Sequence, residues 1–536
     1  MKSKITLAAI LLSVMAFGQT SITSSITYQG YEETQAFAGQ GEYQIFLDNG
    51  AGVLDRPIIL LDGFDPNDGR NIPAIYALLN YGVGQNLADD LRNQGYDIVI
   101  LNFPNYTRPS TAELINGGAD YIQRNAMVLV ELINQINALK EGDEENVVIG
   151  PSMGGLIARY GLRYMEMNSL NHETRLYVSF DAPHLGANIP IGFQHLFNYM
   201  ANGPLADATV QVLVDAMIKS NASRQMLIDQ FEGHLDSGSE VEFDPAIVLP
   251  TGKPNFRNAF QTELNTMGFP QQTRNVAIAN GSANGNMNGT PGMTVMDHTF
   301  NITPSQRAII NLKFTPLADQ QLQVSRFRGQ GLLFGFWITA YESAAESRSP
   351  LNTAGLDSAP GGRFDITSLA GLAGSNALLT EFFDNLLIDY FTFVPTNSSL
   401  GISSPNWYEP VTDVSITPFA ATYVPAVNEN HVTLTPDNMA FALNEILNPP
   451  LATAVPDLFS LISVQNPIGN AVEIFSAKTL SATSISITDM SGKELYAETN
   501  QRISGKFSIP VSLSSGMYIL TIKSAEGSTS RKLIKN

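Results

Sequence analysis

The sequence predicts an α/β fold with a mostly parallel sheet, followed by a small all-β domain. Between residues 56 and 181, four short runs that are apolar on both faces alternate with stretches of helical periodicity. Such runs are typical of parallel strands covered by helices on both sides of the sheet. After the Pro-rich stretch "NPPLATAVPD" (448–457), short alternating strands separated by turns predict a β-sandwich.

The predicted elements follow one another in a simple order. Residues 21–55 alternate apolar and polar side chains, as short antiparallel strands do. The apolar strands are "RPIILLDG" (56–63), "YDIVILNF" (96–103), "NVVIG" (146–150) and "RLYVSFD" (175–181), and "TRNVAIANGS" (273–282) adds another. Helical periodicity covers 72–95, 111–140, 156–167 and 439–447, whereas 283–390 shows only strand-like pieces such as "LQVSRF" and "GLLFGFWITAY".

The first residues have the layout of a secretory signal. Lys2 and Lys4 precede the apolar run "ITLAAILLSVMAF", and Ala16 and Gly18 are the small residues expected before a cleavage site near Gln19. The run is shorter than the roughly 18 residues that a spanning helix needs, and no other stretch is long enough. The predicted domains are a signal peptide at 1–18, a main α/β domain at 19–450 with a helical cap at 188–272 and a second insertion at 283–390, a linker at 451–463, and a β-sandwich at 464–536.

Composition excludes several classes of function. Asp and Glu number 50 against 30 Lys and Arg, for a formal charge of −20. This balance argues against a nucleic-acid partner and against electrostatic docking on anionic lipid, since both need clustered basic residues. The chain has no cysteine, which excludes disulfides, thiolate catalysis and cysteine-based zinc sites.

The stretch "VVIGPSMGG" (147–155) contains the best candidate nucleophile. Gly150 to Gly154 match G-x-S-x-G, with Ser152 between an apolar strand and a helix. Glycines two before and two after the serine suit a turn that brings the strand and helix backbones too close for side chains. An ordinary structural turn is the alternative.

Here the chain resembles the α/β-hydrolase superfamily, with lipase-like features, over roughly residues 21–450. The resemblance implies an oxyanion hole made by the N–H groups of Met153 and of Phe64 in "LLDGFDP" (60–66). Lipases often carry His-Gly at that point, and this chain has Asp62 in place of the histidine. Calcium binding by Asp62, Asp65 and Asp68 is an alternative use of that loop.

Among six histidines, His431 is the predicted general base. It stands in a loop before the last predicted helix, where the Ser…acid…His order of the superfamily places the base. His184, in "DAPHLG", resembles a lipase segment in which the histidine is usually structural. The remaining candidates lie in a turn, in the predicted cap or in the second insertion: His172, His195, His234 and His298.

The orienting acid is less well defined by the sequence. The stretch "IDYFTFVPTNSSL" (388–400) resembles the lipase segment that carries the acid, but Phe391 occupies the acid's position. Asp181 ends the strand "RLYVSFD", where it could accept a hydrogen bond from an imidazole. Asp181 is therefore the predicted acid, and Asp357, Asp389 and Asp297 remain alternatives.

The last ~70 residues, "NPIGNAVEIF…SRKLIKN", closely resemble the C-terminal sorting domain of bacterial type IX secretion, including a basic tail. The resemblance implies recognition by the secretion machinery and export across the outer membrane, after which the domain is removed or anchors the protein. A generic carbohydrate-binding or adhesive sandwich is the alternative.

Together these observations predict a secreted serine hydrolase of carboxylic esters, lipase- or esterase-like, that works through an acyl-enzyme. Its substrate is expected to be an ester or lipid, with no metal or organic cofactor, no nucleic-acid partner and no transmembrane segment in the mature protein. Two alternatives stay open. One is a peptidase or polysaccharide esterase on the same fold, and the other is a non-catalytic surface adhesin with a vestigial serine turn.

Overall fold

The computed structural model describes residues 18–50, 52–204, 206–373, 376–449, 462–490, 492–524 and 527–535. The predicted signal peptide, apart from Gly18, and the predicted linker, apart from its last two residues, lie outside the described residues. The chain divides into two compact units, Met1–Ile446 and Leu447–Asn536.

An eight-stranded sheet forms the centre of the first unit. Its strands are β1 (Thr20–Tyr28), β2 (Phe37–Phe46), β3 (Pro57–Leu61), β4 (Asp97–Asn102), β5 (Asn146–Pro151), β6 (Thr174–Phe180), β7 (Arg274–Ile278) and β8 (Ala421–Tyr423). Their order is β1-β2-β4-β3-β5-β6-β7-β8. β2 is antiparallel to both neighbours, and every pair from β4 to β8 is parallel. This is the α/β-hydrolase fold, as the sequence predicted.

Helices fill the connections of this unit. They are α1 (Ile72–Ala77), α2 (Leu87–Asn93), α3 (Ile122–Leu139), α4 (Met153–Met167), α5 (Ile191–Asn202), α6 (Ala208–Leu213), α7 (Asn221–Met226), α8 (Arg257–Met267), α9 (Ala377–Asp384), α10 (Thr396–Ser399) and α11 (Pro436–Leu447). Ile59 and Leu61 of β3 join a core with α3 and α4, and Ile58 and Leu60, which point to the other face, are equally buried. The strand runs are therefore apolar on both faces because both faces of the sheet are buried, as the sequence predicted.

Two predicted helical stretches are wrong in extent. Residues 72–95 form α1 and α2 separated by a small hairpin, Asn80–Tyr81 with Gln85–Asn86. The helix expected over 111–140 begins only at Ile122. A Cβ on Gly117 would lie 2.2 Å from the Pro104 carbonyl oxygen, and one on Gly118 would lie 2.3 Å from that of Asp65. These glycines mark a close backbone contact that keeps the preceding segment out of the helix.

The connections after β6 and β7 are long. Between β6 and β7 the chain forms α5 to α8, and between β7 and β8 it forms a four-stranded antiparallel sheet and a hairpin. α5 packs on the four-stranded sheet through a shared apolar core. The strands of that sheet are Thr294–Thr303, Gln306–Lys313, Gln321–Leu333 and Phe336–Arg348, and those of the hairpin are Gly361–Asp365 and Tyr390–Pro395.

The second unit is all-β, as predicted. Its antiparallel strands are Ile462–Val464, Ala471–Asp489, Glu494–Pro510, Gly516–Ser524 and Gly527–Lys535. The two long strands pass through several register shifts, and their inward side chains join a core that consists mainly of Ile and Leu. No helix in the described part of the chain is long and apolar enough to span a membrane.

Candidate active site

Ser152 lies on the tight turn that joins β5 to α4. Its backbone is at φ 51° and ψ −128°, a conformation that non-glycine residues rarely adopt. A Cβ on Gly150 would lie 2.5 Å from the Gly154 carbonyl oxygen, and one on Gly155 would lie 2.4 Å from Ala182 Cβ. Gly150 is therefore required by the contact between strand and helix backbones, and Gly155 is required by the close approach of the Ala182 side chain. This tight packing holds Ser152 in its strained geometry.

Gly150→Ala is expected to destabilise the first unit. The new Cβ would meet backbone atoms that have little room to move, and overpacking of this kind costs about 2 kcal/mol or more of unfolding free energy. Circular dichroism should show a lower Tm than for the wild type. The matched control is Gly371→Ala, because a Cβ there has no heavy atom within 4 Å. Equal Tm values for the two variants would contradict this account of the turn.

The structure brings three of the predicted residues into one hydrogen-bonded chain. His431 lies in the loop between β8 and α11, and its Nε2 is 2.8 Å from Ser152 Oγ. Its Nδ1 is 2.7 Å from Oδ2 of Asp181, which directly follows β6 and is fully buried. Residues that are 279 and 250 positions apart in sequence thus meet at the carboxyl edge of the parallel strands.

Several residues that sequence reasoning missed hold Asp181 and the histidine loop in place. The Asn280 N–H donates to Asp181 Oδ1 at 3.1 Å, and the Asn280 side-chain amide donates to Glu429 Oε2 at 2.8 Å. A Cβ on Gly362 would lie 2.2 Å from Asp181 Oδ2, so only glycine fits there. The signal for these residues is weak, because nothing local to Asn280 or Gly362 links them to an aspartate so distant in sequence.

His431 itself is fixed by its backbone and by its ring. The His431 N–H donates to the Arg363 carbonyl oxygen at 2.8 Å. The ring meets Phe393 with a centroid distance of 4.9 Å and an interplanar angle of 75°, an edge contact that favours one ring orientation. Val432, the next residue, has a positive φ of 52° that turns the chain sharply after the histidine.

The alternative acids lie elsewhere. Asp357 is buried and accepts hydrogen bonds from Asn188 and from the backbone and hydroxyl of Thr315. Burial raises its pKa to about 6. Asp297 accepts a hydrogen bond from Asn311, and both Asp297 and Asp389 are exposed. Neither ring nitrogen of His431 is hydrogen-bonded to these carboxylates, because both are occupied by Ser152 and Asp181.

The other five histidines also have their own partners. His184 is fully buried against Ser179, and burial holds its pKa well below the usual value. Burial likewise lowers the pKa of His195 to about 3. The contacts of the remaining rings are His172 Nδ1 with the Thr174 N–H, His234 with Asp229, and His298 with Glu381. His184 therefore has the structural environment that its sequence context implied.

The predicted oxyanion residues flank Ser152. Met153 is the first residue of α4, so its N–H has no acceptor within the helix. The loop after β3 approaches from the other side, where a Cβ on Gly63 would lie 3.3 Å from Ser152 Cβ. Phe64 follows directly and lines the same cavity as Ser152 and His431.

Arg70, which sequence reasoning also missed, connects several residues of this loop through hydrogen bonds. Its guanidinium donates to both carboxylate oxygens of Asp62 at 3.2 Å and to the Phe64 carbonyl oxygen at 2.9 Å. Burial raises the pKa of Asp62 to about 6, although Arg70 opposes that rise. Asp65 accepts the Arg70 N–H at 2.8 Å. Two carboxylates of the calcium alternative are thus occupied by Arg70, and no described group of three or more acidic or histidine side chains is arranged to hold a metal ion.

A cavity of ≈ 460 Å³ opens beside Ser152 and His431. Its wall is mainly aliphatic and aromatic, and it is contributed by the sheet loops, by the helices after β6 and by the hairpin after β7. An apolar wall of this kind lowers the local dielectric constant, which strengthens electrostatic interactions beside it. Representative apolar lining residues are Phe193, Phe197, Met217, Phe391, Phe393 and Met439.

A family model described as "Secretion system C-terminal sorting domain" matches residues 466–536. The match confirms the resemblance to a sorting domain, and such a domain implies export from the cell or to its surface. No curated protein matches the chain at a significant level.

Solved structures similar to this chain include several α/β-hydrolases. The rice cell wall degrading esterase LipA from Xanthomonas oryzae is 12% identical, with 48% of this chain and 73% of that chain covered and a TM-score of 0.27. The peroxisomal alpha-beta-hydrolase Lpx1 from Saccharomyces cerevisiae is 14% identical, with 49% and 73% covered and a TM-score of 0.26. Because both TM-scores are low, the fold assignment rests on the strand order of the main sheet instead.

Proposed function

We propose that this protein is an exported serine hydrolase that cleaves carboxylic esters through an acyl-enzyme. The observation that carries the proposal is the chain of hydrogen bonds from Ser152 Oγ through His431 to Asp181, at 2.8 and 2.7 Å. A nucleophile in contact with a base, which is in turn oriented by a buried carboxylate, is the arrangement that acyl transfer requires.

The proposed reaction has two halves. His431 Nε2 takes the proton of Ser152 as Oγ attacks the ester carbonyl carbon, and the N–H groups of Phe64 and Met153 bind the resulting oxyanion. The intermediate collapses, the C–O bond to the alcohol breaks, and His431 gives its proton to the leaving alkoxide. Water then attacks the acyl-enzyme with His431 as base, which releases the acid and restores Ser152. Throughout, Asp181 keeps the second imidazole proton on Nδ1.

The cavity supports an ester with an apolar acyl chain as the substrate. A peptide or a polysaccharide would bring many polar groups that need hydrogen-bond partners, and a largely apolar wall offers few of them.

Hydrolysis of p-nitrophenyl esters of increasing acyl length tests this proposal. The purified wild type should hydrolyse them, and Ser152→Ala should not. As long as the acyl chain of the ester fits the cavity, kcat/KM should rise about fourfold for each added methylene. This is the factor that ~0.8 kcal/mol per buried CH₂ implies. A wild-type rate no higher than that of Ser152→Ala would reject the esterase proposal, and a flat length profile would reject the apolar acyl pocket alone.

Arg70→Gln is expected to lower kcat by about 10–100-fold with little change in KM, the loss typical of a weakened oxyanion donor. The side chain touches the Asp62 carboxylate and the Phe64 carbonyl and so positions the Phe64 N–H. Steady-state kinetics should show this split, and Ser152 should still react with a fluorophosphonate. Arg348→Gln is the matched control, because Arg348 pairs with Asp319 at an exposed site. An unchanged kcat in Arg70→Gln would contradict a positioning role.

The route of export completes the proposal. Residues 1–18 would direct the chain across the inner membrane, and the sorting domain would direct it across the outer membrane by type IX secretion. A fusion of residues 462–536 to a reporter that carries a signal peptide should reach the medium or cell surface, whereas the reporter with the signal peptide alone should stay in the periplasm.

A further inference from the structure

The tip of one hairpin in the four-stranded sheet is strongly exposed and apolar. The strands Gln321–Leu333 and Phe336–Arg348 meet at the turn Phe334–Gly335. Burial of the first strand stops at Gly329, so the tip extends beyond the core by about 14 Å at 3.4 Å per residue. The exposed fractions are 92% for Phe334, 71% for Phe336, 55% for Leu333, 50% for Ile338 and 41% for Leu332.

The turn itself contains Phe334, a residue that does not contribute to the stability of the fold at this position. Phe334 and Gly335 have positive φ angles of 50° and 81°, as in a type I′ hairpin turn. Such turns prefer Asn-Gly or Asp-Gly, and a bulky side chain in this conformation is an outlier. With 92% of its surface exposed, Phe334 gains almost no packing that would offset the strain. A strained residue without a structural benefit points to a function outside the fold.

Both faces of the tip are apolar. Leu333 pairs with Phe336 across the strands, and Leu332 pairs with Trp337. Cross-strand partners share a face and successive residues alternate, so the two pairs lie on opposite faces. A protein partner would cover one face of such a ribbon, whereas an apolar medium around the tip would take both.

The base of the tip is locally cationic. Residues 320–341 contain no Asp or Glu and carry Arg326 and Arg328, although the whole chain has a net charge of −20. Arg326 pairs with Glu342, which also lies across the strands from Arg328. In the described part of the chain neither Arg328 nor Arg307 on the next strand forms an ion pair, and Arg307 donates a hydrogen bond to Gln330 at 2.8 Å. The Arg307 guanidinium lies 4.2 Å above the Trp337 ring. Arginine and tryptophan behind an apolar tip suit the headgroup layer of an anionic lipid surface.

We propose that the hairpin tip, Gln330–Thr339, inserts into a lipid surface that contains anionic headgroups. Phe334, Phe336 and the neighbouring leucines enter the acyl region, while Arg307 and Arg328 meet the headgroups. The acidic net charge of the chain argues against docking on anionic lipid. Binding at the tip, however, depends on the local charge and apolar area and not on the average over the chain. This contact is separate from the ester chemistry and does not require Ser152.

Sedimentation with vesicles tests the proposal on the full chain. Wild type and Ser152→Ala should both sediment with vesicles of phosphatidylcholine and phosphatidylglycerol, and more weakly with phosphatidylcholine alone. Phe334→Asp/Phe336→Asp should reduce the partition coefficient by about tenfold or more, since two large apolar groups are replaced by charges. Leu351→Asp is the matched control, because Leu351 is 72% exposed and lies outside the tip. Unchanged Tm values would show that each variant is folded.

The two tryptophans provide a second readout. In a Trp407→Phe background, vesicles should shift the emission of Trp337 to the blue, and brominated lipid should quench it. Wild-type protein that remains in the supernatant, or a double variant that sediments like the wild type, would overturn the proposal. A dimer without vesicles that the double variant abolishes would also overturn it, because the tip would then belong to an interface between two copies.

Discussion

His431→Ala is expected to lower kcat for p-nitrophenyl butyrate by about 10⁴–10⁶-fold, the range found when a member of such a triad is removed. Without an imidazole 2.8 Å from Oγ, nothing takes the Ser152 proton during attack or protonates the leaving alcohol. The ester should still bind, because the apolar cavity wall is unchanged. Steady-state kinetics against the uncatalysed rate would measure the loss.

The effects of removing Ser152 and His431 are expected not to be additive. Residues that act as one unit lose their joint contribution when either is removed, so Ser152→Ala/His431→Ala should be no slower than the single variants. His298→Ala is a matched control, since that ring pairs with Glu381 at a partly exposed site. A double variant that loses the product of the two single effects would contradict a shared mechanism.

Asp181→Asn is expected to lower kcat by about 10⁴-fold, because an amide donor at this position favours the wrong imidazole tautomer. Asp181 Oδ2 accepts from Nδ1 of His431 at 2.7 Å, which leaves Nε2 unprotonated and able to accept the serine proton. The carboxylate also stabilises the imidazolium that forms during attack. Rates at several pH values, with Tm measured in parallel, would separate this loss from unfolding.

Asp357→Asn is the control that separates the candidate acids. Asp357 is buried and hydrogen-bonded to Thr315 and Asn188, so its substitution should lower the Tm. The kcat of this variant should stay within about twofold of the wild type, because the hydrogen bonds that link Ser152 to Asp181 are unchanged. A normal rate in Asp181→Asn together with a large loss in Asp357→Asn would reverse the assignment of the acid.

Much of the site could be predicted because it depends on local signals and chain order. Strands buried on both faces and the glycines around Ser152 indicate the sheet and its tight turn before any long-range contact is known. The Ser…acid…His order then pointed to His431, Asp181 was predicted from its place at the end of a strand, and the structure brings both to Ser152. Their catalytic roles remain predictions until variants are measured.

What could not be predicted depends on contacts between distant segments. The helix predicted over 111–140 begins only at Ile122, because Gly117 and Gly118 contact the backbone at Pro104 and Asp65, which no local pattern reveals. Asn280 and Gly362 shape the environment of Asp181 from other connections. Arg70 carries no sequence signal for its role, because only the folded loop brings its guanidinium to Asp62 and Phe64.

The most direct test of the central claim is to identify the residue that reacts with a fluorophosphonate. Intact mass should show one adduct per folded wild-type chain, and peptide mapping should place it on Ser152. Ser152→Ala should take up none, and heat-unfolded wild type should also remain unlabelled, because reactivity requires His431 beside Oγ. A folded wild type that forms no adduct, or an adduct on another residue that persists in Ser152→Ala, would contradict the account.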